Sequence, residues 1–428
     1  MNKTTAIVLA AGKGKRMKSP WPKVLREVCG QPLIYYALKQ LSKIKSVREI
    51  VVVLGYKDNL VKNKIKEISL NQLPRLSGKI RFVKQAQMLG TADAVKTALT
   101  KARCGEVLVT CGDNPLIRSK TLSLFLSFSR RKRLDCCIFT AFMDKQNQLG
   151  RVIYDNKGKV KAIEEKITGK GKEKAGLAGR VNSGTYYFLK KGLAADIKKI
   201  KRNKRKKEYF LTDIVEIFYN QGKKIDSYLG KDSSEAAGIN NLFELQFAEE
   251  NIRKRIIAEL TRKGVLVVSP MTTIIQESVK IGKNTTIYPF TFIEKGAIIG
   301  SNCSVGPFLH IRGSSRINNH TQVGNFLEIN RSCLGKNVRA KHFGYLGDSY
   351  VSDGVNIGAG TVAANYNGKS KNKTYIEKGS FIGCDTVLVA PVTVGKKAKT
   401  GAGSVVTKNV KKGQVVAGVP ARELRGKE

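Results

Sequence analysis

The chain has 428 residues, with 78 Lys and Arg against 33 Asp and Glu, a formal net charge of +45. Its length suggests two or three domains, and 41% hydrophobic residues exclude a disordered polycation. The charge invites a nucleic-acid reading, but it is spread over both halves, and the one dense run, eight basic residues in the ten from Lys198 to Lys207, reads as a solvated face.

No run of about 18 apolar residues is present, so no helical membrane span is expected. The short apolar stretch from Ala6 to Ala11 runs straight into a charged loop and does not read as a signal peptide. Eight cysteines without C-x-x-C spacing argue against a zinc site and against a disulfide scaffold, and fit a reducing, cytoplasmic setting.

Residues 1–240 alternate strand-like and helix-like segments. Ala6 to Ala10 is an apolar run that ends in a Gly-rich loop. Pro32 to Ile44 predicts a helix, Glu49 to Leu54 a buried strand, and Ile80 to Val83 a short one. Thr91 to Ala102 predicts a second helix, and Glu106 to Thr110 a buried strand ending at Cys111-Gly112-Asp113. This alternation predicts an α/β, Rossmann-like domain with a largely parallel sheet covered on both faces. Ligands collect at the carboxyl ends of such strands, which directs attention to the loops after Ala10 and Thr110.

Residues 241–262 contain no Gly or Pro and predict a long linker helix. From 263 to 428 the pattern changes. Ile281, Ile287, Ile293, Ile299, Val305, Ile311, Ile317, Val323 and Ile329 fall six apart, and Ile376, Ile382, Leu388 and Val394 repeat the spacing. A six-residue aliphatic period predicts a parallel β-helix whose triangular coils stack one aliphatic per face. The stretch from about Leu334 to Ser370 breaks the register and is rich in His, Tyr, Asn and Gly, so function is expected there.

The first candidate site begins at Leu9-Ala10-Ala11-Gly12-Lys13-Gly14-Lys15-Arg16-Met17, followed by Pro22-Lys23. Gly12 and Gly14 would let backbone N–H groups approach phosphate oxygens, and Lys13, Arg16 and Lys23 offer cations for a triphosphate. The Walker A spacing is absent, and a basic Gly loop alone is equally consistent with a surface turn. Gln85 lies before Leu89-Gly90-Thr91-Ala92, and a side-chain amide can read a base edge. Asp113 stands at a strand end, a natural position for a Mg²⁺ ligand, although a helix cap before Pro115 is the plainer use.

Together these segments resemble the sugar-1-phosphate nucleotidylyltransferase family. Gly150-Arg151, Glu164-Glu165-Lys166, Asn182-Ser183-Gly184, Glu208 to Asp213 and Gly238-Ile239-Asn240-Asn241 continue the match in order. The resemblance implies that Leu9, Ala10, Ala11, Gly12, Lys13, Lys23, Gln85, Gly90 and Thr91 hold the nucleotide. It places Gly150, Glu164 and Asn182 on the sugar, Asp113 and Asn240 on Mg²⁺, and Arg16 and Lys23 as catalytic cations. The sugar phosphate would attack the α-phosphorus of UTP, with catalysis by positioning and charge neutralisation.

The second candidate site lies in the register break: Arg339-Ala340-Lys341-His342 to Asp348, Gly354 to Thr361, and Ala364-Asn365-Tyr366-Asn367-Gly368 with Lys371. Acyl transfer to an amine needs a base, because an ammonium must lose a proton before it attacks. These segments, with Arg312, Val323 to Phe326 and Leu388 to Val392, resemble the acetyltransferase half of the bifunctional N-acetylglucosamine-1-phosphate uridyltransferase/glucosamine-1-phosphate acetyltransferase family. That resemblance implies a left-handed, homotrimeric β-helix with His342 as general base. Arg312, Asn330, Tyr345, Asn356 and Lys371 would stand at the sugar phosphate, and Ala359, Asn365, Tyr366 and Cys384 at acetyl-CoA.

Four features depart from the family. Asn330 stands where a lysine is usual, and strand alternation points the neighbouring Arg331 elsewhere. Cys384 replaces a serine, Met88 replaces a polar residue, and the C-terminus from Val415 resembles a generic hexapeptide acyltransferase ending. The leading reading is a bifunctional enzyme that makes UDP-N-acetylglucosamine from UTP, acetyl-CoA and sugar 1-phosphates. The alternatives are a nucleotidylyltransferase whose β-helix serves trimerisation, and nucleic-acid binding driven by charge. The last lacks any reader motif, so no nucleic-acid partner is expected.

Overall fold

The computed structural model describes residues 3–143, 149–165 and 179–424. It divides into two compact units, Met1–Glu249 and Glu250–Glu428.

The first unit is built on one sheet. Its strands run in the order Ile225–Leu229, Cys136–Met143, Gly179–Leu189, Glu106–Cys111, Thr4–Ala10, Val47–Leu54 and Ile80–Lys84. Thr4–Ala10 pairs in parallel with Val47–Leu54 on one side and Glu106–Cys111 on the other. Both central neighbours carry continuous apolar runs, Ile50 to Leu54 and Val107 to Val109, because both faces are covered, and Ile7, Val51, Val53, Val107 and Val109 share one core. Gly179–Leu189 is antiparallel to both of its long neighbours, so the sheet is mixed. The predicted helices appear as Leu33–Leu41 and Thr91–Leu99, each shorter than its sequence pattern.

In the second unit three parallel sheets of short strands stack side by side, each strand pairing with its counterpart one coil on. This is the left-handed parallel β-helix that the motifs imply. Most two-residue strands turn one aliphatic inward, as in Thr286–Ile287 and His310–Ile311. The inward residues form a continuous cluster that contains all thirteen six-spaced aliphatics, and each contributes roughly 1.5–3 kcal/mol by burial. The corners follow the same six-residue period. Asn284, Phe290, Asn302, Phe308 and His320 all have positive φ. Asn suits that conformation, but a bulky Phe does not. Phe290, Phe308 and Phe326 stack there at 4.8 Å between successive ring centroids.

The predicted register break is not an interruption of the coil. Leu334, Ala340, Leu346, Val351 and Ile357 continue the buried column. Two steps shorten to five residues, and a loop is inserted between Thr361–Ala364 and Thr374–Ile376. Segments outside the repeat meet both ends of the stack. Ile257 and Leu260, from the last turns of helix Leu242–Arg262, join the core at the first coil. Arg422–Glu423 folds back antiparallel on Val415–Ala417 at the last.

Candidate active sites

In the first unit the two predicted loops meet. Gly112 N–H donates to Leu9 O at 2.9 Å, tying the Asp113 segment to the Gly-rich loop. Gly14 has φ +68°, and a Cβ there would lie 2.6 Å from Lys23 Cβ, so the Lys23 stem crosses directly over it. The Lys23 ammonium forms an ion pair with Asp113 and donates to Asn240 Oδ1 at 3.0 Å. Asn240 is steadied in turn, its backbone N–H donating to the Glu244 carboxylate. Lys13 stands over the Tyr56 ring at 5.3 Å, and Gly12, Lys13 and Arg16 face solvent. Burial, with help from the Asp113 charge, pushes the Cys111 thiol up to about 12, so it stays neutral beneath this cluster.

Gln85 is buried, and its amide donates to Gly90 O at 3.0 Å and to Asp93 at 2.7 Å. Its donors are therefore spent on the Gly90 turn, which leaves its carbonyl oxygen as the group a base could meet. Gly90 has φ +105°, and a Cβ there would strike Tyr209 O at 2.5 Å. Thr91 accepts from Leu211 N–H at 2.9 Å. The Thr91 turn and the Glu208–Asp213 motif are thus bound to each other.

At the sugar motifs, Asn182 N–H donates to Gly150 O at 2.8 Å, and Asn182 Nδ2 donates to the Tyr186 hydroxyl at 2.6 Å. Glu164 is exposed and registers against Arg151. Glu165 is the carboxylate beside Gly150, its Cδ 3.4 Å from where a Gly150 Cβ would sit. Burial and then Glu165 raise the Tyr186 hydroxyl, and burial, Glu165 and Glu216 raise the Asp213 carboxyl. The motif was legible but its inward member was not. Lys166 lies outside the described residues.

In the β-helix, strand register puts His342, Ala359 and Cys384 at the same corner of successive coils. Phe343 O accepts from Gly360 N–H at 2.8 Å, and Ala359 O from Asp385 N–H at 2.6 Å. His342 and Cys384 are exposed there, with Asn356 at the start of the middle strand. A second group gathers around Asp348. Arg331 grips it with two bonds of 2.8 and 2.7 Å, and Asn365 Nδ2 donates to it as well. These partners, with the Lys371 charge, hold the Asp348 carboxyl below the usual carboxylate range. Arg331 also donates to Asn330 Oδ1 at 3.1 Å. Strand alternation does not direct Arg331, because it occupies a corner with φ +50° rather than a flat strand. Its guanidinium therefore returns to Asn330. Arg312 bonds Glu328 at 3.2 Å, and Glu328 registers against Tyr345. Tyr366 is exposed, its hydroxyl donating to Gly368 O.

Residues 5–244 match the nucleotidyl transferase family model. Over 445 residues the chain is 34% identical to the bifunctional protein GlmU of Caldicellulosiruptor saccharolyticus, covering 95% of this chain and 93% of that one. The chain belongs to the GlmU family. It is 36% identical to GlmU of Thermosipho africanus, covering 94% and 92% of the two chains. With GlmU of Thermodesulfovibrio yellowstonii the identity is 35% and the coverage 98% of both. The GlmU alignments run through both units, so membership includes the acetyltransferase half as well as the uridyltransferase half.

Asp113 and Asn240 present a carboxylate and an amide oxygen to one cation, the Lys23 ammonium. Two hard oxygens around a single positive charge suit a small divalent ion that takes its remaining ligands from phosphate and water. Among the described residues no group of three or more His, Cys, Asp or Glu forms a self-sufficient metal cage. No helix among them is long and apolar enough to cross a membrane.

Proposed function

We propose that each unit carries one of the two GlmU activities, with Mg²⁺ serving the first. The carrying observation is the meeting of Lys23, Asp113 and Asn240, drawn from three distant segments onto one charge. Asp113 and Asn240 hold the metal, which neutralises phosphate charge when bound. Lys13, Arg16 and Lys23 hold the UTP phosphates, and Gly150, Glu164 or its inward neighbour Glu165, and Asn182 orient the sugar. A phosphate oxygen of N-acetylglucosamine-1-phosphate attacks the α-phosphorus, the bond to the bridging oxygen breaks, and pyrophosphate leaves.

On the β-helix, the amine of glucosamine-1-phosphate attacks the acetyl thioester. The C–S bond breaks, coenzyme A leaves as its thiolate and is protonated to the free thiol, and His342 takes the amine proton. Arg312, Tyr345, Asn356 and Lys371 bind the sugar phosphate. Ala359, Asn365, Tyr366 and Cys384 lie along acetyl-CoA. Arg331 supplies positive charge beside Asn330.

Free thiol release from acetyl-CoA with glucosamine-1-phosphate tests the second activity, and pyrophosphate release from UTP with N-acetylglucosamine-1-phosphate tests the first. Both are expected. Pyrophosphate release without thiol release at high protein concentration would leave the β-helix as a trimerisation device.

The chain self-associates as a homotrimer in the cytoplasm. The support is the column of exposed Phe290, Phe308 and Phe326, an apolar ridge on a repeat scaffold. Light scattering should give three times the 47.1 kDa chain mass, and a monomer at micromolar concentration would contradict it.

A further inference from the structure

Lys23 occupies the place that the metal reading assigns to a cation. Its ammonium touches both Asp113 and Asn240, and the Lys23 and Asp113 side chains are 14% and 17% exposed. A divalent ion between the same two oxygens and an ammonium contacting both cannot coexist, because the like charges would lie within a few ångströms of each other. The head of Lys23 must therefore move when a metal binds.

Its stem limits where the head can go. Lys23 opens the short turn Lys23–Leu25, and its first side-chain carbons lie across Gly14. A head released from Asp113 remains within reach of the Gly12-Lys13-Gly14 loop, where a polyphosphate would supply the anion it has lost. Gly14 is the residue that permits this crossing, since any side chain there would collide with Lys23 Cβ.

We propose that Lys23 couples divalent-cation binding to triphosphate binding. Without metal its ammonium holds Asp113 and Asn240 together in a ready geometry. A divalent cation displaces it, and the displaced ammonium becomes a phosphate ligand. Metal and nucleotide then strengthen each other through one side chain, and the coupling is reciprocal. This rests on Asp113 as a metal ligand, so the test separates the two ideas.

The test measures Mn²⁺ binding to the nucleotide-free, full-length protein by electron paramagnetic resonance. Lys23→Met keeps the stem and removes the competing charge, and it should bind Mn²⁺ about tenfold more tightly than the parent. Lys23→Arg, which keeps the charge, should not. Asp113→Asn should weaken binding in both the parent and the Lys23→Met background. Thermal unfolding of each variant establishes that it is folded at the assay temperature. Equal or weaker Mn²⁺ binding by folded Lys23→Met, with the Asp113 dependence intact, overturns the coupling alone. Mn²⁺ binding that is absent, or indifferent to Asp113, overturns both the coupling and the metal assignment.

Discussion

Replacing His342 by alanine is expected to lower acetyl transfer by about 10²–10⁴-fold, the span associated with losing a positioned general base. The attacking amine of glucosamine-1-phosphate is an ammonium near neutral pH and must give up a proton before or during attack. His342 is exposed at a corner that Ala359 and Cys384 share on the next coils. It contributes nothing to the buried aliphatic column, so its removal should leave the fold intact. Uridylyl transfer, carried by the other unit, should keep its rate. Initial rates of thiol release and pyrophosphate release on the same preparation check this. A variant that retains more than about a tenth of its thiol release would remove His342 from the role.

The mirror-image result is expected for Asp113→Asn. This change preserves shape but removes the carboxylate that faces Lys23 and, in the proposed reading, Mg²⁺. Electrostatic elements of this kind are worth about 10²–10³-fold in rate, and pyrophosphate release should fall by that amount. The residual rate should need more Mg²⁺ to saturate. Acetyl transfer should be unaffected. A modest loss with an unchanged Mg²⁺ requirement would remove Asp113 from the metal and leave it as the ion-pair partner of Lys23 alone.

Much of this organisation is readable because the physics behind it is local. The run before Gly12 is apolar since that strand is buried on both faces, and the six-residue aliphatic period is the period of the coil itself. What was not readable depends on contacts between distant segments or on a single backbone angle. Gly179–Leu189 carries a mixed pattern that does not reveal its antiparallel direction. Glu164 and Glu165 are adjacent carboxylates, and the register of the Arg151–Tyr154 hairpin decides which one turns toward Gly150. Lys23 and Asn240 are 217 positions apart. Strand alternation misdirects Arg331 because its corner conformation, φ +50°, is not visible in the residue pattern. The Leu334–Ser370 segment hides its repeat because two five-residue steps shift the period without ending the coil.

The segments at the two ends of the β-helix have a consequence for solubility. Every coil offers its neighbour an unpaired row of N–H and C=O groups, and an open terminal coil would offer that row to another molecule. Such a scaffold is one uncapped strand away from growing end to end into filaments. Ile257 and Leu260 cover the core at the first coil, and the Arg422–Glu423 return strand pairs the final edge with the chain's own backbone. In the sheet that ends at Val415–Ala417, the last edge is therefore taken by a strand running against the coil, which cannot template another turn.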